Sequence, residues 1–495
     1  MRFSHYTMQQ TSPTTYQGND RVLFGFIFGL LSFWLFAMTL LNIHVDMNKE
    51  LGLSISTLSF AVSITSLVSG LFIVVFGGLA DRLGRVKLIR WGFYAAILGA
   101  LCIALTPAQS ALTAPILIAG RALQGLSGAC IMPASLALLG VYWSGKGRQR
   151  AVSLWSMGTW GGSSFAALFG GFMISTLGWR AIFYVCALFA IVGLLLIKGL
   201  PESRAEQQQA KRFDIFGFVT FFVGILSLQL FIANAPVWGW LSLHSLSSIA
   251  ISVIAIVIFI KVEQGQAGAF MNFALFRNKT FTGATISNLI LNATAGVLVV
   301  SLSVLQQGGR IDPATAGYLT IGYGVSILLF IRVGEKLLQR FGPRKPMIWG
   351  CMLIIVSVIL MSQTQLMTGV YMILTGVAYV LFGTGLAFYA TPSTDAALSS
   401  LPRDLSGQGS GIYKMASSLG AAFGLAISQA IYNGIQVSGE PIELLGNLIN
   451  FVGQQGNLNF RHAAMVTMSF NIGLLLLAIL SIALTIPKQK KQAEA

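Results

Sequence analysis

Charge is what this sequence lacks most. Asp, Glu, Lys and Arg together make up 9% of its 495 residues, against about 25% in a soluble domain. The acids are scarcest, 15 against 31 basic residues. A surface that poor in charge excludes an ordinary soluble enzyme. The four cysteines, Cys102, Cys130, Cys186 and Cys351, all lie inside apolar runs. None is paired at metal-ligand spacing, so neither a disulfide framework nor a thiolate metal site is expected. No Gly-x-x-x-x-Gly-Lys-Ser/Thr loop occurs, which argues against ATP-driven pumping. No Ser/His/Asp or metal-ligand cluster stands out, so no catalysis, metal or cofactor is expected. Residues 1–20 lack an apolar core, so no cleavable signal peptide is read there.

What the chain has is apolar residues (55%) and glycine (54 residues). Mean hydropathy is +0.76. A helix needs about 20 apolar residues to cross the hydrocarbon layer. Fourteen runs qualify: 22–45, 57–80, 88–106, 112–141, 150–175, 179–198, 214–234, 243–261, 280–304, 314–334, 346–363, 367–392, 408–434 and 463–486. Irregular chain or an open sheet would leave backbone groups unsatisfied in lipid. The expectation is therefore an all-α integral membrane protein, multi-pass and surrounded by lipid.

A net charge of +16 raises the question of nucleic acid. The basic residues lie between apolar runs, however, where they set topology, so no nucleic-acid partner is expected. All 31 basic residues but Lys49, Arg121, Arg180, Arg310 and Arg461 fall on one side if the N-terminus is cytoplasmic. An even number of spans then places both termini in the cytoplasm.

Two loops echo each other. Gly77-Gly-Leu-Ala-Asp81-Arg-Leu-Gly84-Arg-Val-Lys87 and Glu335-Lys-Leu-Leu-Gln-Arg340-Phe-Gly342-Pro-Arg-Lys345 align at a shift of 258 residues. The same shift brings Gly162-Ser-Ser-Phe165-Ala166 onto Gly420-Ala-Ala-Phe423-Gly424. Spans 1–6 thus pair with spans 9–14, leaving spans 7 and 8 as an inserted hairpin. The expected organisation is a tail (1–21), a six-helix half (22–198), a loop (199–213), a hairpin (214–261), a second six-helix half (280–486) and a second tail (487–495). Duplicated halves around a midplane site are the architecture of rocking transporters.

The segment Gly77-x-Leu79-Ala80-Asp81-Arg82-x-Gly84-Arg85-x-Lys87 resembles the signature of the major facilitator superfamily. Arg121-x-x-Gln124-Gly125-x-x-Gly128-Ala129 resembles the second signature of its drug:proton antiporters. The fourteen runs resemble the larger branch of that group. Segments Phe33–Ala37, Ser156–Ser163 and Tyr389–Asp395 are similar to its quinolone-resistance exporters. The resemblance implies export of amphiphilic small-molecule drugs, fluoroquinolone-like compounds included, against inward-moving protons, by a monomer. In two places the chain departs from the antiporter pattern. Ala167 replaces the proline of the span-5 signature Gly162–Gly171, and Thr39–Asn42 stand where the branch has an acid in span 1.

The gating expectation falls on Gly77, Asp81, Arg82, Gly84, Arg85 and Lys87. A short charged loop can pin two helix ends together in one state and release them in another. Arg121 lies half-way along span 4, where a charge must face a cavity or a partner, or else snorkel outward. Acids near span ends are the candidates for proton coupling or substrate contact: Asp46, Glu50, Asp312, Glu335 and Asp395, with Asp46 and Asp312 first. Lys414, two turns into span 13, either lines the inner cavity or snorkels. Small residues for close helix approach are Gly162, Ala166, Gly170, Gly171, Gly420 and Gly424. Candidate cavity residues are Trp34, Gln124, Trp155, Trp160, Tyr323 and Tyr389, since aromatic walls tolerate varied flat amphiphiles. A same-fold exporter of a lipid, peptide or metabolite is the alternative, as fold does not fix substrate. A non-transporting receptor or scaffold is the alternative of another class.

Overall fold

The computed structural model describes residues 16–53, 55–204, 214–265, 271–311, 313–437, 449, 451–452 and 457–488. Among them there is no strand. The first six helices are α1 (Asp20–Leu51), α2 (Ile55–Leu83), α3 (Arg85–Ala104), α4 (Thr113–Tyr142), α5 (Gly145–Leu177) and α6 (Trp179–Leu196). Then come α7 (Ile215–Trp238), α8 (Leu243–Gly265), α9 (Lys279–Ala293), α10 (Gly296–Ser303) and α11 (Pro313–Leu319). The last five are α12 (Ile321–Phe341), α13 (Arg344–Met361), α14 (Thr368–Ser399), α15 (Ser406–Val437) and α16 (Leu458–Thr485). Among the described residues 12 helical stretches are long and apolar enough to cross a membrane. Helices α1 and α5, with 32 and 33 residues, pack in the same bundle and are not among those 12.

Several helices outrun the apolar stretches that announce them. α14 reaches Ser399 rather than 392, and α5 begins at Gly145 rather than 150. Thirty-two residues at about 1.5 Å each make about 48 Å of helix, well beyond a hydrocarbon core of about 30 Å. Hydropathy sees only the middle part. As a result Asp395 and Glu335, expected after their spans, lie inside α14 and α12. The run 280–304 is also not one straight helix. It breaks at Thr294–Ala295 between α9 and α10, and Val304–Gly308 forms a π-helical turn.

Start signals are where polar side chains meet orphan backbone N–H groups. The Asp214 carboxylate accepts from the Gly217 N–H at 2.8 Å and opens α7. Asn278 accepts from Thr280 and Phe281 and opens α9. Between α2 and α3 the loop is reduced to Gly84, whose φ of 121° only glycine adopts freely. The Glu202 carboxylate fills the place where a Gly84 side chain would sit, and it accepts from the Val86 and Lys87 N–H groups at 2.9 and 3.0 Å.

Helices α1–α6 pack on one another, and so do α9–α16. The two bundles meet through α2 with α15, α5 with α12 and α14, and α4 with α15. Helix α7 lies on α8 and α15, and its Phe218 ring sits tilted against Phe72 of α2, with centroids 5.4 Å apart. Leu177, Ile215, Ile373 and Leu484 point outward, exposed, as side chains bathed in lipid do.

The repeat extends beyond the two loops that reveal it. At the end of the first bundle away from Asp81, Arg180 of α6 donates to the Ala104 and Thr106 carbonyls and pairs with Glu50 at 2.9 Å. In the second bundle Arg461 of α16 donates to the Thr364 and Leu366 carbonyls. Thr106 and Thr364 are themselves 258 residues apart. Both arginines were exceptions to the one-sided distribution of basic residues. Each ties the start of its bundle's last helix to the segment just after α3 or α13, a structural duty that overrides the topology signal.

Candidate functional site

The face where α2 ends and α15 begins carries Arg82, Arg85, Lys87, Lys146, Arg344 and Lys345 and is called the basic face here. Asp81 lies in the last turn of α2, fully buried. Its Oδ1 accepts from Arg85 Nη2 at 2.6 Å and Nε at 2.9 Å. The same carboxylate reaches across the seam between the bundles. Oδ1 accepts from the Gly407 N–H at 3.0 Å, and Oδ2 from the Gln408 N–H at 2.8 Å. These are orphan donors in the first turn of α15, where the helix dipole favours an anion. Arg85, 1% exposed, also donates to Ser203 Oγ at 2.8 Å. One aspartate therefore ties α2, α3, the segment after α6 and the start of α15 together.

The crossing is possible because side chains are missing. A methyl on Gly77 would stand 2.7 Å from the Gly407 carbonyl and 3.1 Å from the Gly411 Cα. Arg82 and Lys87 flank this point. Lys87 places its ammonium 5.3 Å from the Trp91 ring centre.

A second tie crosses the seam at α5 and α14. Arg148 Nε donates to Asp395 Oδ1 at 2.9 Å, with Asp395 buried. Beside it lies a cavity of about 430 Å³ lined by Lys146, Gln149, Gln339, Asp395 and Lys488. The 258-residue shift would carry Asp81 onto Gln339. Gln339 donates to Glu335 at 3.1 Å, and Glu335 pairs with Arg332. The second loop thus has an amide where the first has its latching carboxylate, and the charged tie across the seam on that side is Arg148–Asp395.

Deeper in the seam Ser153 Oγ donates to the Ile331 carbonyl at 3.4 Å, and Lys414 Nζ lies 4.6 Å from the Trp155 ring centre. Further along, a methyl on Gly324 would stand 3.0 Å from Ser164 Cβ, and one on Gly70 3.9 Å from Ser418 Cβ. The charged ties between bundles, Asp81 and the Arg148–Asp395 pair, lie at the basic face, and a further polar tie joins the Tyr323 and Ser164 side chains deeper in the seam.

Arg121 is wholly buried in α4 and does not snorkel. Its Nε donates to the Ala61 carbonyl of α2 at 3.1 Å and Nη1 to Gln124 Oε1 at 2.7 Å. Trp155 is buried, donating to Ser135 Oγ at 3.0 Å. Tyr389 is buried against Ser287, with 2.8 Å between hydroxyls. Trp34, half-buried on α1, has an indole N–H with no acceptor among the described residues. Trp160 and Tyr323 are also half-buried, on α5 and α12. Gly162 faces Leu31 and Trp34 of α1, with Ala166 a turn on, Gly170 and Gly171 further along α5, and Gly420 and Gly424 against α9. Asp312 lies outside the described residues. Asp46 falls within α1, but its side chain lies outside them too.

Sequence reasoning overlooked Gly407, Gln408, Arg148, Glu202 and Ser203. A signal for the first two was present. Ser406-Gly-Gln-Gly-Ser-Gly411 opens a helix, and a glycine-rich helix start is a ready anion receptor.

Known proteins agree with this picture. The Major Facilitator Superfamily pattern matches residues 23–425. The chain is 41% identical, over 97% of its length and 99% of the relative's, to the quinolone resistance protein NorB of Staphylococcus aureus strain MRSA252. It is 40% identical over the same shares to NorB of strain NCTC 8325 / PS 47. Among solved structures it is similar to the human organic anion transporter MFSD10 (TM-score 0.63, 16% identity, 95% of this chain and 100% of that one). It is likewise similar to the proton:xylose symporter XylE (TM-score 0.63, 16% identity, 95% and 96%). At that identity the likeness concerns the fold alone. With the helical bundle, the signature loop and relatives spanning its whole length, the chain belongs to the major facilitator superfamily and is a multi-pass membrane transporter, not an enzyme.

Proposed function

We propose that this protein is a multidrug exporter of the bacterial plasma membrane. It moves amphiphilic drugs, fluoroquinolone-like compounds among them, outward in exchange for protons by alternating access. In this reading all fourteen long helical segments cross the bilayer, both termini are cytoplasmic, and the basic face is the inner one. Helices α1–α6 and α9–α16 are the rocking halves of a monomer, and α7–α8 is a hairpin inserted between them. The full-length likeness to NorB supports the substrate class.

The observation that carries the mechanism is the Asp81 carboxylate seated on the first turn of α15. In this reading it holds the cytoplasmic mouth shut, as the outward-directed half of the cycle requires. Opening the mouth inward breaks that cap and separates Asp395 from Arg148. Asp395 then faces water without its counter-charge, and this reading assigns it the proton-coupling role. Arg121, held by Gln124 and α2, stiffens the first half near its centre.

Reconstitution tests substrate and energy source together. Vesicles with the basic face outward and an acidic lumen are expected to accumulate a fluoroquinolone several-fold over vesicles without a gradient. Collapsing the gradient should abolish the difference. Equal accumulation with and without the gradient contradicts proton coupling. No drug accumulation, with flux of a lipid or metabolite instead, contradicts the substrate class.

A further inference from the structure

Lys414 has a problem that the transport cycle solves. It sits eight residues into α15, about 12 Å below the start of the helix, and is 7% exposed. Among the described residues it has neither a carboxylate partner nor a hydrogen-bond acceptor. What it has is the face of Trp155, 4.6 Å away and contributed by the other half. A cation on an aromatic face recovers only part of the hydration that a buried ammonium gives up. One turn back along the same face of α15, Ser410 is 1% exposed, and its hydroxyl has no partner. Trp155 is itself fixed, its indole N–H bonded to Ser135 of α4. An ammonium and an idle hydroxyl therefore stand together just inside the seam, against a rigid aromatic plane.

We propose that Lys414 and Ser410 form the receptor for the carboxylate of an aromatic, acid-bearing substrate, and that Trp155 holds the ammonium in the substrate's absence. The inference rests on the drug-export reading above and assigns the acidic group of the drug to one place. Because Trp155 and Lys414 belong to opposite halves, opening the basic face pulls them apart. The ammonium is then free, hydrated and facing the inner mouth. A carboxylate replaces the ring as its partner, while the drug's own aromatic system takes the vacated face of Trp155. Closure around the drug needs a counter-charge for Lys414, which an acid supplies and an ester does not. The site thereby selects zwitterions and acids over otherwise similar cations.

The test compares wild type, Lys414→Gln and Lys414→Arg in vesicles with an imposed pH gradient. The probes are a fluoroquinolone, its methyl ester and a monocationic dye without a carboxylate. The expected wild-type protein prefers the acid to the ester. Lys414→Gln raises the KM for the acid about tenfold or more and erases that preference, while ester and dye transport do not fall. Lys414→Arg keeps the preference. Equal losses on all three compounds would make the lysine structural and overturn the proposal, and so would an unchanged acid preference in Lys414→Gln. A wild type that exports acid and ester alike overturns it while leaving drug export standing. A wild type that exports none of the three overturns the drug-export reading itself.

Discussion

Asp81→Ala is expected to reduce export at least about tenfold while the protein still inserts and folds. Removing this carboxylate orphans the Gly407 and Gln408 N–H groups and leaves the buried Arg85 with Ser203 but without its counter-charge. Breaking a buried pair from one side costs about 3–5 kcal/mol. Much of that cost falls on the closed state, the one in which α2 and α15 touch. A shift of about 1.4 kcal/mol already changes the ratio of two states tenfold. The variant should therefore rest with its basic face open. A Ser410→Cys reporter, buried in the seam of the parent, should react with a membrane-impermeant thiol reagent several times faster in the Asp81→Ala background. Asp81→Asn should fall between, since the amide keeps an acceptor for one N–H and loses the charge. Wild-type export by Asp81→Ala, with no gain in reporter labelling, would show that the cap does not gate.

Gly424→Val should be the most damaging single substitution among the packing residues. A methyl on Gly424 would overlap the Ala293 carbonyl, and one on Gly420 the Leu289 carbonyl. Here α15 and α9 touch backbone to backbone, so no rotamer change relieves the clash. Overpacking costs about 1–3 kcal/mol where neighbours can move, and two helix backbones cannot move separately. The valine variant should lose most of its monodisperse yield in detergent, and Gly424→Ala should melt several degrees below wild type. Gly434→Val is the control on the same helix, since nothing lies within 4 Å of its position. If Gly424→Val and Gly434→Val melt alike, the close α9–α15 crossing is wrong. The first-half counterpart of Gly424 is Ala166, which is already a methyl residue and is 2% exposed.

Those two sites show how far the sequence could be read. Helix and membrane were legible because they depend on composition and period. Lipid forces apolar runs into helices, and a shift of 258 residues exposes the shared loop. The latch was half legible. Asp81 was marked as a gate, but its receptor stands 326 residues away and consists of backbone N–H groups, which have no letter in the sequence. Asp395 was placed at the edge of a span because hydropathy ends where serines and threonines begin, although the helix does not. Its partner Arg148 looked like one more topology charge. Arg180 and Arg461 broke the charge rule in sequence, and only the carbonyls at Thr106 and Thr364 explain why. Lys414 remained undecided between cavity and interface because its ring partner lies on another helix of the other half.

The central claim is that the two halves tilt about a shared middle, closing one face as the other opens. Paired spin labels measure this directly, one pair at the basic-face ends of α2 and α15 and one at their opposite ends, in bilayers at two pH values with and without drug. The account predicts opposite changes: when the basic-face distance lengthens, the distance at the other end shortens. Two distances that stay fixed, or that lengthen and shorten together, would contradict it.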